Sequence, residues 1–179
     1  GESCYPFYLF EGEMSRLPKI AMEVYDAEPE EWAEAALEPF KGVTGAPVAW
    51  AQKCINDYGA EMIALQLEST DPNGLDRGAD EAAEVAKKVA DAIEVPLIVW
   101  GTANHEKDTA VLSKVAEVCH GKNLVIGPVE EGDHKKIGAQ AIAYRHTVAA
   151  STPIDINLAK QLNILLENLG VPDEKLIMD

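Results

Sequence analysis

The sequence predicts a parallel α/β barrel of the TIM, or (β/α)8, type, of which this chain carries about six βα units. Short apolar runs recur at spacings of roughly 25–40 residues, and amphipathic stretches with helical periodicity lie between them. The runs are continuously apolar rather than alternating, which is typical of parallel strands buried on both faces. Polar residues follow the end of every run, as they do on the functional rim of a barrel.

Six apolar runs are the predicted strands, and five amphipathic stretches are the predicted helices. The strands are 19–24, 61–67, 96–100, 123–126, 146–150 and 175–178. The helices are 47–58, 80–93, 106–119, 134–144 and 155–169. The first helix has Pro47 at its start and Gly59 just past its end, and the last has Asp155 as a candidate N-cap and Gly170 as its stop signal.

Two parallel architectures fit this order of elements, an open doubly wound sheet or a barrel. A dinucleotide-binding sheet would have G-x-G-x-x-G after its first strand, and no such motif follows Val24. No G-x-x-x-x-G-K-[ST] phosphate loop is present either. These absences favour the barrel. A closed (β/α)8 barrel has eight strands and about 250 residues. We therefore predict one partial barrel domain over 1–179, with its last two βα units missing after Asp179.

Residues 1–18 contain no predicted strand, although 5–10 form the aromatic cluster YPFYLF. We predict that this N-terminal extension packs on the barrel. An exposed partner surface is the alternative interpretation.

The composition excludes several classes of function. The chain has 31 acidic and 15 basic side chains, a formal net charge of −16, so nucleic-acid binding is not expected. No apolar run approaches the ~20 residues of a membrane span, and the N-terminus has no signal-peptide pattern, so we expect a cytoplasmic protein without a membrane partner. The three cysteines are scattered and form no cluster motif. The four histidines show no metal-binding spacing.

The loops after the predicted strands carry the candidate binding residues, because the carboxyl ends of parallel strands share one face of a barrel. The predicted contacts are Asp26, Ser69, Asp71, Gly101, Thr102, Asn104, Gly127, Pro128, Ser151, Asp155 and Asn157. Glu68, Glu130 and Asp179 lie in the same loops. Structural roles remain open for several of them, since Asp caps helices and Ser makes turns. The glycines at 101 and 127 would permit positive φ or close approach of a ligand. No catalytic residue and no metal ligand is assigned.

Four stretches resemble one known family. They are FEGEMSRLPKIAMEVYD (10–26), DPNGLDRGADEAAEVAKKV (71–89), VPLIVWGTANHEKDTAVLSKVAE (95–117) and STPIDINLAKQLNILLENLG (151–170). The sequence resembles the small subunit of the corrinoid iron–sulfur protein, also known as the delta subunit of acetyl-CoA decarbonylase/synthase. The resemblance extends over essentially the whole chain, and PIDINLAKQLNILL is its most specific part.

The resemblance implies a barrel that pairs with a larger subunit and shares a B12-type corrinoid with it. The large subunit would carry the iron–sulfur cluster, so no cluster is expected in this chain. A methyltransferase would supply the methyl group from methyl-tetrahydropterin, and acetyl-CoA synthase would receive it. The chain is then a non-catalytic subunit of a methyl-transfer complex in the acetyl-CoA pathway.

Two alternatives are enzymes. One is a methyltransferase barrel that binds methyl-tetrahydropterin through Asp and Asn residues of the rim. The other is an aldolase or isomerase barrel, which is disfavoured because no Schiff-base lysine lies at a strand end. The sequence also departs from the family pattern at Gly132 and His134, where an Asn-Tyr or similar pair is expected after the fourth strand.

Overall fold

A computed structural model describes residues 18–179. The prediction for the N-terminal extension, including its aromatic cluster, falls almost entirely on 1–17 and so lies outside the described residues.

In the described part of the chain, six strands form one parallel sheet in the order in which they occur in the sequence. They are β1 (Ala21–Tyr25), β2 (Met62–Gln66), β3 (Leu97–Trp100), β4 (Val125–Val129), β5 (Thr147–Ala150) and β6 (Leu176–Met178). The register aligns one row of fully buried side chains across the first five strands. This row comprises Val24, Leu65, Val99, Ile126 and Val148.

Within residues 18–179, six α-helices connect or flank the strands. They are α1 (Glu34–Leu37), α2 (Pro47–Tyr58), α3 (Ala79–Ala92), α4 (His105–Val118), α5 (His134–Tyr144) and α6 (Ile156–Leu169). Consecutive helices from α2 to α6 pack side by side, as right-handed crossovers between sequentially ordered strands require. The strand order never reverses, unlike that of a doubly wound sheet. The five predicted helices are confirmed to within one residue at each end, whereas the single-turn α1 was not predicted.

Burial differs between the two halves of the sheet. The residues of β5 are all buried and those of β4 nearly so, which confirms the expectation of strands covered on both faces there. In β2 and β3, buried and half-buried residues alternate instead. One face of these strands packs against the helices, while the other is only partly covered by the described residues.

The end of the fourth strand was predicted wrongly. The strand continues to Val129, so Gly127 and Pro128 lie inside β4 and are buried rather than in the loop that follows it. A Cβ at Gly127 would lie 2.8 Å from Cζ3 of Trp100 and 2.9 Å from Cβ of Ala149. Glycine is therefore needed here because the Trp100 ring and Ala149 leave no room for a side chain.

The sheet has two edges among residues 18–179, at β1 and at β6, and these residues do not form a closed barrel. Several apolar side chains on β6 and α6 are exposed at the second edge, including Ile164, Ile177 and Met178. Within 18–179, no helix combines the length and the apolar character that crossing a membrane requires.

His146 is a buried histidine that joins three elements. Its Nδ1 accepts a hydrogen bond from the Leu124 amide at 3.1 Å, and its Nε2 lies 2.9 Å from the Ala116 carbonyl oxygen. One ring nitrogen accepts and the other donates, so only the neutral imidazole fits. Burial is the main cause that lowers the pKa of His146 below its ordinary value.

The neutral His146 predicts a loss of stability in mild acid. Unfolding releases the imidazole to take up a proton, so the free energy of unfolding should fall as pH decreases below about 6.5. The substitution H146Q should cost about 1–3 kcal/mol at neutral pH, since it disrupts buried hydrogen bonds. It should also remove this component of the acid sensitivity. Urea unfolding of both proteins between about pH 5 and 8 gives the two curves, and parallel curves would contradict the prediction.

The close packing of Trp100 against Gly127 predicts that one added methyl group at position 127 destabilises the fold. Gly127→Ala should lower the free energy of unfolding by about 1–3 kcal/mol, because Trp100 and Ala149 must move apart. Gly74→Ala is the matched control, since its Cβ would make only ordinary contacts of 3.7 Å. Chemical denaturation of both variants checks this, and equal stabilities would refute the packing argument.

Candidate functional site at the carboxyl edge of the sheet

The carboxyl ends of all six strands point the same way, because every strand pair is parallel. They form the carboxyl edge of the sheet, which is distinct from the two edge strands β1 and β6. The loops that leave this edge contain the residues predicted from the sequence. Hydrogen bonds and ion pairs join several neighbouring loops.

Asp26 joins the loops after β1 and β2. Its carboxylate accepts hydrogen bonds from the backbone amide of Ser69 at 2.8 Å and from the Ser69 hydroxyl. Both residues are buried. Burial raises the pKa of Asp26, although the two bonds from Ser69 and the charge of Arg77 oppose that rise. The predicted pair therefore does come together, and its polar atoms bind each other.

Asp108 organises the loop after β3. The buried Asp108 carboxylate accepts hydrogen bonds from the amide of Thr102 at 3.0 Å and from its hydroxyl at 3.3 Å. Ala103, the next residue in this loop, has a left-handed backbone with φ 60°. Burial raises the pKa of Asp108 despite these donors. A Cβ at Gly101 would lie 2.5 Å from the carboxyl group, so Asp108 occupies the space that the glycine leaves.

His105 joins the loops after β3 and β4. Its Nδ1 lies 3.1 Å from Oδ2 of Asp133 and 3.4 Å from Oε2 of Glu130. Asp133 is buried, and its other oxygen accepts the Glu130 amide at 2.9 Å. The hydrogen bond to Asp133 is the largest cause that raises the pKa of His105. The carboxylate thus fixes both the position and the tautomer of a histidine whose side chain is 54% exposed.

A cleft of about 850 Å³ opens beside the ends of β1 and β2. Its lining combines aromatic rings, carboxylates and one guanidinium. Among the lining residues are Tyr25, Glu28, Glu31, Trp32, Glu68, Asp71 and Arg77. Tyr25 and Trp32 pack edge to face with ring centroids 5.1 Å apart. Desolvation and the nearby charges of Asp71 and Asp26 raise the pKa of Glu68.

Most of the remaining predicted residues make contacts within their own loops, whereas Ser151 contacts the end of β6. Asp71 accepts the Asn73 amide in a turn, Asn104 caps α4 through the Lys107 amide, and Asp155 caps α6. Asn157 donates its amide to that last cap and leaves its side chain exposed. The Ser151 hydroxyl donates to Asp179 at 3.0 Å.

The structure therefore does not gather the predicted residues into one cluster; some contact each other, and others contact residues that the sequence did not select. Asp26 meets Ser69, and Gly101 and Thr102 meet Asp108. The Gly101 amide also donates to the carbonyl of Gly127, but Gly127 and Pro128 contribute to packing inside β4. Neither glycine has the positive φ that the sequence allowed.

Three residues with central roles were missed in the sequence, namely His105, Asp108 and Asp133. Asp108 lies one turn into an amphipathic helix, where acidic residues are common as dipole partners. The signal for Asp108 that the sequence did offer was its position four residues after Asn104, the N-cap of α4. Nothing in the sequence indicated the pairing of His105 with Asp133, since they are 28 positions apart.

Possible metal ligands and two cysteines among the described residues are the groups that could support metal or thiol chemistry. Residues 18–179 hold no group of three or more His, Cys, Asp and Glu side chains placed to bind a metal ion. Cys54 and Cys119 are buried in or at the end of helices, and burial raises the pKa of each thiol to about 11.

Comparison with known proteins identifies the family. The family model for the CO dehydrogenase/acetyl-CoA synthase delta subunit matches residues 2–179. The chain belongs to this delta-subunit family. A subunit delta of the acetyl-CoA decarbonylase/synthase complex from Archaeoglobus fulgidus is 38% identical over the entire chain. Subunit delta 1 from Methanosarcina thermophila is 35% identical over 100% of the chain, and subunit delta from Methanocaldococcus jannaschii is 32% identical over 96%.

The chain spans about two-fifths of the length of these delta subunits. It covers 40% of the Archaeoglobus protein, 41% of the Methanosarcina protein and 43% of the Methanocaldococcus protein. The resemblance predicted from four sequence stretches is thus confirmed at the level of the family.

The Asp26–Ser69 pair predicts energetic coupling between the first two loops of this delta-family chain. Each single change, D26A or S69A, should destabilise the fold, and the double variant should lose less than their sum by about 1–3 kcal/mol. A double-mutant cycle measured by urea unfolding checks this. S151A with D179A offers a matched comparison at an exposed pair, where coupling should stay below about 1 kcal/mol. Strict additivity at Asp26 and Ser69 would contradict the tie between the loops.

Proposed function

We propose that this chain is part of a non-catalytic subunit that helps hold a B12-type corrinoid and docks partners during methyl transfer. The observation that carries the proposal is the delta-family match over 2–179, joined to a carboxyl edge rich in hydrogen-bonding groups. The relatives are named as subunits of the acetyl-CoA decarbonylase/synthase complex. The partners proposed here are the large corrinoid iron–sulfur subunit, a methyltransferase and acetyl-CoA synthase.

The residues of the carboxyl edge fit one side of a corrinoid. The periphery of a corrin ring carries carboxamides, each with N–H donors and a carbonyl acceptor. Glu68 and Asp71 in the cleft offer acceptors for such N–H groups, while Thr102 and Asn104 offer both donors and acceptors. No thiol and no lysine of the described strand ends would compete as a nucleophile. These groups form an open rim, so a second protein wall is needed to enclose the cofactor.

The large subunit is the proposed second wall, and it is also where we place the iron–sulfur cluster. The protonated, buried thiols of Cys54 and Cys119 are unsuited to bind cluster iron. When bound, the corrinoid supplies the cobalt centre that accepts and releases the methyl group. The chain's own residues position the ring, and the ties at Asp26 and Asp108 hold the loops before the cofactor arrives.

We further propose that the six strands belong to a (β/α)8 barrel. The sequential strand order and the side-by-side helices support this, since both are the arrangement of a barrel rather than of a reversing open sheet. The incompletely covered faces of β2 and β3 would then line the barrel interior.

A pterin-dependent methyltransferase is the second candidate, and the cleft beside β1 and β2 favours it. Tyr25 and Trp32 present aromatic surface there, and Glu68 and Asp71 present acceptors to the N–H groups of a flat heterocycle. On this alternative, methyl-tetrahydropterin binds the chain without any partner.

Binding measurements separate the two functions. The chain, alone and with the large subunit, should be incubated with methylcobalamin and passed over a size-exclusion column. The carrier function predicts that cobalamin absorbance elutes with protein only when both subunits are present. Calorimetric titration of the chain alone with methyl-tetrahydropterin should show no tight binding.

The variant E68Q tests the cleft directly, with E84Q on the exposed face of α3 as the matched control. Tight pterin binding that E68Q weakens, and E84Q does not, would overturn the carrier function in favour of the methyltransferase.

A further inference from the structure

His105 is the group at the carboxyl edge whose geometry is most specific to ligand binding. Its ring is held by the buried Asp133, which is itself held by the backbone amide of Glu130. Gly132 leaves room for this arrangement, because a Cβ there would lie 3.3 Å from the His105 ring. A histidine that only packed or only capped a helix would not need a carboxylate fixed in this way.

The two ring nitrogens of His105 have different environments. Nδ1 faces Asp133 and Glu130, so it carries a proton in both charge states of the ring. Nε2 has no hydrogen-bond partner within 18–179, and the side chain is 54% exposed. Asp133 thus directs the ring so that Nε2 remains available to a bound molecule.

The charges around His105 restrict the kind of molecule that fits. Asp108 on its own helix and Glu130 and Asp133 on the β4–α5 loop are all acidic. These charges stabilise the imidazolium and would repel an anionic ligand. A neutral carbonyl is the acceptor that gains a charge-assisted hydrogen bond without this repulsion.

We propose that His105 donates a hydrogen bond from Nε2 to a peripheral carboxamide carbonyl of the corrinoid, and that Asp133 is its positioning residue. This inference rests on the proposed carrier function. It adds His105, where the loop after β3 meets α4, to the proposed corrinoid contacts. The sequence pattern did not select this residue.

The proposal predicts a pH-dependent affinity. Below the raised pKa of His105 the ring is a cation and donates, whereas above it the neutral Nε2 has no proton to give. Corrinoid affinity should therefore fall as pH rises through that pKa. The substitution D133N removes the main cause of the raised pKa, so it should move the inflection to lower pH.

The test uses the complex of the chain with its large subunit and methylcobalamin as the probe. Dissociation constants should be measured between about pH 5.5 and 9 for wild type, H105A, H105Q and D133N. H105A should weaken binding about tenfold or more at the acid end and abolish the inflection, as expected for loss of a charge-assisted bond. H105Q should restore part of the affinity without restoring the pH dependence.

The matched control is H120Q, an exposed histidine beyond the opposite end of α4, and it should leave the profile unchanged. Histidine NMR of the isolated chain should show that the pKa of His105 lies above 6.5 and that D133N lowers it. The inflection of the binding curve should move with this pKa, whereas a purely structural role of His105 does not require the two to move together. Methylcobinamide keeps the carboxamides but lacks the nucleotide phosphate, so it should show the same pH dependence.

Other results would refute either the carrier function, the His105 contact or the carboxamide as its acceptor. Wild-type complex that retains no methylcobalamin refutes the carrier function and the inference together. Binding that H105A leaves unchanged, or that does not vary with pH, refutes the inference alone. A pH dependence seen with methylcobalamin and lost with methylcobinamide assigns the contact to the nucleotide loop and refutes the carboxamide.

Discussion

Parallel pairing in sequential order is the constraint on which the candidate site depends. Each strand starts at the same end of the sheet, so six carboxyl ends and their loops share one edge. Neighbouring loops are then close enough for side chains to join them. Asp26 contacts Ser69 across the first pair, Lys107 forms an ion pair with Asp76 across the second, and His105 contacts Asp133 across the third. A carboxylate takes part in each of these ties.

Two buried carboxylates at this edge, Asp26 and Asp108, are held at an energetic cost. Burial raises the pKa of both Asp26 and Asp108, which means that the folded protein disfavours their charged forms. Their contribution to stability is largest when they are protonated and declines as pH rises from their unfolded values through their folded ones. Backbone and hydroxyl donors offset part of this cost. Such an arrangement is common where a protein must fix loops in advance of a ligand. The exposed His105 extends from this fixed framework.

The sequence predicted the elements better than their contacts. Helix 134–144 and helix 47–58 were predicted with the observed bounds, since amphipathic periodicity and the flanking residues are local signals. Gly127 was misplaced because a glycine next to a proline indicates a turn, whereas in the structure it lies under the ring of Trp100 from the neighbouring strand. The candidate residues do lie in the loops after the strands, apart from Gly127 and Pro128 inside β4 and Asn157 in the first turn of α6, but their partners were not predicted. Ser69 was a candidate ligand contact, and it binds Asp26.

The sequence by itself determined the class of fold, the order of strands and helices and the membership of the delta-subunit family, because these follow from local periodicity and residue identity along the chain. The tertiary structure alone decided which polar groups meet. Asp108 bonds to the loop just before its own helix, but His105 and Asp133 are 28 positions apart and become neighbours only when β3 pairs with β4. Hydrogen-bonding roles at this edge depend on strand register and burial. Both are properties of the packed sheet rather than of any one segment.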